Sequence, residues 1–477
     1  MKKIKLLLYN WVQFDENDGG GVTVYLNNII NKLLEDDKVE IYFLSSGTKY
    51  SLLNNKIKIK KTKNKYGDKV KTYAIYNSPV MFSNNQFSRV DIYNNDKELL
   101  KVIDKFIEEE NGFDIIHFNN LEGLSIEVLK LKEKYTKTKF IYSMHNYFPV
   151  CPNVYLWKHN KENCKDYCEG KSCCGCITSD YNFAKKMQRI KTVLSKLGIN
   201  IYSNSIKKYY SKIIKNNTNN KIIQVEKTEK DYAKAQDYKI FREKNVKYIN
   251  KYVDEILCVS KRVKEIAISM GIEEKKCNVS YIGTKFADNL QRQNIDINSK
   301  KFNLIYLGYM NVMKGFDFLI DSLLKLDNKI TKDINLTLVC RNNLKYNIEE
   351  ILKKLRNKYN SVTYIDGYTH DNLKKLLSNQ HLGVIPVVWE DNLPQVSIEI
   401  TSFGVPILSS DLGGASELSD NNDFKFKGSD TKDFLQKLTA IIKNRKKLDE
   451  YWHDYNKPTT MEKHLKELYG YYKIKGE

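Results

Sequence analysis

The feature that most constrains this chain is residues 387–418, VVWEDNLPQVSIEITSFGVPILSSDLGGASEL. The apolar run from His381 to Trp389 reads as a buried strand. Asp391-Asn392-Leu393-Pro394 is a turn-forming cluster whose proline suits the start of a helix. Gln395 to Phe403 reads as a short helix, with Gly404 where a helix stop belongs. Val405 to Leu408 reads as the next strand, and Gly413-Gly414 opens another loop. Strand, acidic loop, helix, strand and glycine loop in that order call for an open parallel α/β sheet. Such sheets bind ligands beyond the carboxyl ends of their strands.

Seven residues separate Asp391 from Glu399, one on the loop and one on the helix behind it. Two acceptor-only carboxylates on one wall suit a ligand rich in hydroxyls. Gly413 and Gly414 offer backbone N–H groups that can approach a phosphate closely. The plain alternative is an ordinary β-α-β unit with two surface acids.

At 477 residues and 41% hydrophobic the chain is too long for one typical core, so at least two packed domains are expected. The net charge of +21 favours phosphates, an anionic membrane surface or nucleic acid, although scattered lysines also reflect a general bias. No nucleic-acid-binding module is recognisable, so no nucleic-acid partner is expected, and a basic nucleic-acid-binding protein is the remote alternative. No apolar run has membrane-spanning length, and Met1 to Tyr9 reads as a first strand rather than a signal peptide. A cytoplasmic protein is expected.

Ile4 to Tyr9 is a strand, Gly19-Gly20-Gly21 a glycine loop, and Val22 to Leu34 a helix with an apolar stripe. A glycine loop opening a helix is an anion site or simply a flexible turn. Further strands at Val39–Ser45, Asp114–Phe118 and Phe140–Met144 alternate with helices, which indicates a Rossmann-like sheet. The last ends at His145, where active-site residues or a structural histidine belong.

Six of the nine cysteines then fall between Cys151 and Cys176. Cys164, Cys168, Cys173 and Cys176 suit a structural zinc; free thiols and disulfides are the other readings. Phe183 to Leu197 is a basic amphipathic helix, either core-facing or lying on an anionic bilayer. Asp288 to Lys301 reads as a linker. A second domain follows, with strand Phe302–Leu307, then Gly308, Tyr309 and Lys314-Gly315, a lysine fit to neutralise a leaving diphosphate. Thr459 to Tyr472 is a terminal amphipathic helix.

The acidic-x7-Glu pattern, the Gly-x-Pro after the helix, the Gly-Gly loop with Glu417, and Lys314-Gly315 together resemble the donor site of retaining GT-B glycosyltransferases of family 4. Two departures stand out: Asp391 where the family usually has Glu, and Tyr309 where it has Arg. The resemblance implies two facing Rossmann-like domains: residues 1–290 on the acceptor side, with a cysteine-bearing, Lys-rich helical insertion at about 151–252, and 291–457 for the nucleotide sugar. Residues 458–477 would cross back to the first domain. It implies Glu399 on the ribose, Asp391 at the sugar, and Lys314 with Gly413 and Gly414 at the diphosphate. Gly308, Asn392 and Leu393 would complete donor binding, and His145 with Gly19, Gly20 and Gly21 would form the opposite wall. It further implies transfer from a nucleotide diphosphate, UDP favoured over GDP, to a glycan, lipid-linked or protein hydroxyl in surface glycan synthesis. No cofactor is required for catalysis, and a peripheral place on the inner membrane face is compatible. Because of the two departures, a degenerate partner subunit is the alternative.

Overall fold

The computed structural model describes residues 3–16, 20–52, 54–82, 89–159, 161–177, 181–196, 229–290, 292 and 296–473. Gly19, Leu197 and the stretch 197–228 of the expected insertion lie outside the described residues.

The strands are β1 (Ile4–Tyr9), β2 (Val39–Lys49), β3 (Lys58–Lys61), β4 (Val70–Tyr76), β5 (Ile115–Phe118), β6 (Lys139–Met144), β7 (Trp157–Lys158), β8 (Glu162–Asn163), β9 (Glu255–Cys258) and β10 (Cys277–Val279) in the first half. The second half holds β11 (Phe302–Tyr309), β12 (Ile334–Arg341), β13 (Ser361–Ile365), β14 (Leu382–Ile385), β15 (Ile407–Ser410) and β16 (Lys425–Phe426). Contacts divide the chain into two compact units: Met1–Leu257 with Ala267–Cys277, and Cys258–Ile266 with Asn278–Glu477.

The first sheet runs β10-β9-β6-β5-β1-β2-β4-β3. Its central pairs are parallel, and β3 joins β4 antiparallel at the edge. β5 is buried throughout and β1 over its last four residues, as expected of strands covered on both faces. The helix Glu98–Glu109 buries Leu99, Ile103, Phe106 and Ile107, one face of a 3.6-residue period. The amphipathic helix spans Tyr181–Lys196. Its fully buried positions are Tyr181, Gln188 and Thr192, whereas Phe183, Met187, Ile190, Val193 and Leu194 are only half-buried. Thr192 Oγ1 accepts from the Tyr50 backbone N–H at 3.1 Å, docking the helix beside β2.

The second sheet is parallel throughout, in the order β13-β12-β11-β14-β15-β16. Counted from β11 this is 3-2-1-4-5-6, the doubly wound Rossmann order, and its direction reverses between β11 and β14. Ligands of such sheets sit at that reversal. The strand expected over His381–Trp389 ends at Ile385, because Pro386 has no N–H to continue the ladder. Residues 387–389 stay buried as loop. Val405 and Pro406 likewise precede β15 rather than belonging to it. Gly383 lets the helix Gln395–Ser402 pack close, since a Cβ there would meet Ile400 Cγ2 at 2.8 Å. The terminal helix, Met461–Tyr472, packs within the second unit, where Thr284 and Thr460 form a bridge.

Candidate functional site

The loops after β11 and β14 meet at the point where the strand order reverses. Lys314 closes the first loop, and its N–H is held by Asn311 Oδ1 at 2.7 Å. Gly315 follows at φ 73°, so close to β14's exit that a Cβ would lie 1.7 Å from the Pro386 carbonyl. Only glycine allows that approach. Val388 N–H then donates to Met313 O at 3.1 Å, tying the two loops together. The result brings Lys314 Nζ to 2.5 Å from Asp391 Oδ2, and 5.6 Å from the centre of the Trp389 ring. Asp391 is buried at 6% exposure, while the Lys314 side chain keeps 30% of its surface open. A buried anion with a half-open cation beside it is an anion-accepting arrangement: the lysine can reach a second negative group without leaving the first.

Glu399 is buried at 4% exposure. Tyr368 OH donates to its Oε2 at 2.7 Å, and His370 Nε2 lies 3.2 Å from its Oε1. Both partners come from the loop after β13. Burial first, and then the Glu399 charge, hold the Tyr368 phenol in its protonated, donating form. Each carboxylate oxygen keeps a lone pair for a further donor. Phe286 packs edge-on against His370, with ring centres 5.1 Å apart.

Gly413 and Gly414 do something other than wait for a phosphate. Gly413 N–H donates to Glu390 Oε2 at 3.2 Å, and Gly414 N–H to Asp391 O at 2.9 Å. Cβ atoms there would fall 1.9 Å from Asp391 O and 2.4 Å from Asn392 O. The glycines are therefore required by the acidic loop they clamp, and their N–H groups already have acceptors. Asn392 is 6% exposed, and its buried Nδ2 has no acceptor among the described residues. Leu393 is buried beside it. Gly308 makes room for the Tyr306 hydroxyl, which reaches Tyr309 O at 2.9 Å. Tyr309 points to solvent at 59% exposure, next in register to the exposed Arg341 at the end of β12.

Two pairs escaped the reading of the sequence. Arg262 grips Glu390 with two hydrogen bonds, Nε to Oε2 at 2.9 Å and Nη2 to Oε1 at 2.6 Å. The Glu390 hydrogen bonds raise the Arg262 pKa further, so its charge is permanent. Glu417 accepts from the backbone N–H groups of Lys261 and Arg262 at 3.0 and 2.8 Å, and from Tyr281 OH at 2.6 Å. It caps the helix Lys261–Ser269, where a carboxylate meets unpaired N–H groups and the positive end of the helix dipole. No local signal marks Arg262; the adjacency of Glu390 to Asp391 was the one available hint.

In the first unit, His145 follows β6 and packs against the Tyr25 ring at 4.9 Å. Gly20 and Gly21 open the helix Gly20–Leu33, Gly20 with φ 58°. Of the four cysteines expected to share a metal, Cys168 is exposed on a turn of positive φ. Among the described residues no three His, Cys, Asp or Glu side chains stand at metal-ligating distances. No described helix is long and apolar enough to cross a membrane.

Residues 288–458 match the family model for glycosyl transferases group 1. No curated protein matches the sequence. Among solved structures, the chain is similar to Anabaena HepE in complex with UDP and glucose, with TM-score 0.54, 12% identity, and 99% of this chain and 100% of that one covered. It is also similar to sucrose-phosphate synthase from Thermosynechococcus elongatus, with TM-score 0.58, 12% identity, and 99% and 98% covered. A third is a glycosyltransferase from Rickettsia africae, with TM-score 0.55, 16% identity, and 99% and 98% covered. The likeness spans both Rossmann-like units. Residues 288–458 thus match the glycosyl transferases group 1 model, on a chain with the GT-B fold.

Proposed function

We propose that this protein is a retaining glycosyltransferase that moves a sugar from a UDP-sugar to an acceptor hydroxyl in surface glycan or glycoconjugate synthesis. The observation that carries the reading is the Lys314–Asp391 pair where the strand order of the second sheet reverses, with Glu399 on the helix behind it. Anabaena HepE in complex with UDP-glucose supports uridine over guanosine in the donor. In this reading Glu399 takes the ribose diol on the lone pairs that Tyr368 and His370 leave over. Lys314 moves part of its charge from Asp391 to the diphosphate as the bond between the sugar's anomeric carbon and the phosphate oxygen breaks. The orphaned Asn392 Nδ2 supplies a donor to the sugar or phosphate.

The acceptor oxygen forms the new bond at the anomeric carbon, and its proton passes to the leaving phosphate. Asp391 is held by Lys314 and acts on the sugar's hydroxyls rather than as a free nucleophile. Catalysis then rests on positioning and on a cation worth more in the transition state than in the ground state. No catalytic metal is part of the scheme. His145 and the glycine start of the first helix remain part of the proposal on the acceptor side.

The test is a thermal-shift panel of UDP-, GDP- and other nucleotide sugars, since a bound donor raises the melting temperature by mass action. A hit is followed by NMR of the product's anomeric configuration. Stabilisation by UDP-sugars and a retained configuration are expected. Stabilisation by no nucleotide sugar would leave the partner-subunit reading. The half-buried apolar row of the helix Tyr181–Lys196, flanked by lysines, supports peripheral binding to anionic lipid. Salt-sensitive sedimentation with anionic but not neutral vesicles checks it.

A further inference from the structure

The first unit holds a side-chain cluster that sugar transfer does not use. Cys151, Cys164, Cys173 and Cys176 line one small cavity of about 10 Å³, closed on one side by Arg242. That is room for about one atom-sized guest. Cys168 and Cys174 are not among its walls. The backbone delivers each thiol from a fixed turn. Cys151 N–H donates to Tyr147 O at 2.7 Å, Cys164 N–H to Leu156 O at 2.6 Å, and Cys176 N–H to Cys173 O at 3.0 Å. Gly170, at φ 86°, seats the cysteine turn on the helix Glu229–Tyr252, because a Cβ there would lie 2.0 Å from the Ala235 carbonyl.

Arg242 projects from that same helix and is 6% exposed. Its guanidinium lies over the Tyr167 ring at 4.2 Å, and Nη2 is 3.8 Å from Cys173 Sγ. Its Nε has no acceptor, and it forms no ion pair, among the described residues. A guanidinium does not lose its proton in a protein, and a buried charge is expensive unless it meets an opposite charge. Beside this cation stand the Tyr167 ring and the cysteine sulfurs, and no carboxylate pairs with it among the described residues. Neutral thiols would leave it uncompensated. A divalent ion that converts four thiols to thiolates makes a complex of net charge −2, which the guanidinium partly neutralises and to which its N–H groups donate.

We propose that Cys151, Cys164, Cys173 and Cys176 bind one zinc ion tetrahedrally, with Arg242 as the hydrogen-bonding counter-charge. No three of these thiols stand at metal-ligating distance in the structure, so binding requires them to turn inward from the cavity walls to sulfur–zinc distances of about 2.3 Å. The set differs from the one read off the sequence by one exchange, buried Cys151 for exposed Cys168. The ion joins the segment after His145 to the turn before the helix Tyr181–Lys196 and braces both on the Arg242 helix. It closes its coordination with four protein ligands, so it is structural.

The test uses the full chain, purified without added metal. Elemental analysis is expected to find about one zinc per chain. Cys168→Ser should keep it, and Cys151→Ser should lose it. Should Cys151→Ser fail to fold, cobalt(II) loaded into the wild-type chain decides. A tetrahedral spectrum with four-thiolate charge-transfer intensity, unchanged in Cys168→Ser, supports the assignment. Zinc lost from Cys168→Ser, a cobalt spectrum weakened by that variant, or a metal-free chain whose cysteines titrate as free thiols or disulfides would overturn it.

Discussion

Lys314 Nζ lies 2.5 Å from Asp391 Oδ2, although 77 residues separate them in the chain. The pair bridges the loops after the two strands between which the second sheet reverses its order, so a half-open lysine and a buried carboxylate meet at the fold's binding point. Lys314→Ala should leave Asp391 buried without its cation. The apo protein should lose about 1–3 kcal/mol, a range reduced for the lysine's partial exposure. The double variant Lys314→Ala/Asp391→Asn should recover part of it. In single-turnover transfer, Lys314→Ala should cost on the order of 10²–10³. Near-wild-type transfer by a folded Lys314→Ala would move the diphosphate to another base, with Arg341 next to be tested.

Glu399→Gln should weaken UDP binding by roughly 1.5–3 kcal/mol, because charge-assisted hydrogen bonds become neutral. Tyr368→Phe should act in the same direction but more weakly, since it removes one donor that orients the carboxylate. Titration calorimetry with UDP checks both. Unchanged affinity in Glu399→Gln would place the ribose elsewhere.

The Arg262–Glu390 fork predicts that Arg262→Ala destabilises the second unit by about 1–3 kcal/mol, allowing for the arginine's partial exposure. Arg262→Lys should rescue little, because an ammonium cannot make the paired fork. Urea unfolding of the two variants tests this. Equal stability of Lys and wild type would mean that only charge matters there.

His464 is buried, and burial pushes its imidazole from the ordinary 6.5 down to about 4. Between those values the unfolded chain binds a proton that the folded one refuses. Stability should therefore be level above about pH 6.5, fall as pH drops toward 4, and then flatten. At about 1.4 kcal/mol per pH unit the whole effect is about 3 kcal/mol. Thermal melts of wild type and His464→Gln between pH 4 and 7 should converge toward low pH. Parallel curves would show that the imidazole is protonated in place.

Local pattern carried much of the fold. The Ile4–Tyr9 strand and the Glu98–Glu109 helix fall where apolar periodicity puts them, because a buried face needs its apolar residues at fixed intervals. Asp391, Glu399 and Lys314 were legible for the same reason: strand ends, turn residues and glycines are local signals, and they mark where side chains leave a parallel sheet. The β14 boundary was misread because burial continues past Pro386 after the hydrogen-bond ladder has stopped.

Tertiary structure decided what each group meets. The Gly413-Gly414 N–H groups go to Glu390 and Asp391, not outward, because the loop packs backbone against backbone. Arg262 reaches Glu390 from 128 residues away, and Arg242 closes a cavity lined by cysteines up to 91 residues before it in sequence. Spacing along the chain grouped Cys168 with the other cysteines, whereas in the fold Cys168 is exposed and Cys151 is buried. Sequence determines which groups lie near the ends of strands, since that depends on neighbours a few residues apart. Which of them share a proton, a charge or a metal depends on distances that only the packed chain creates.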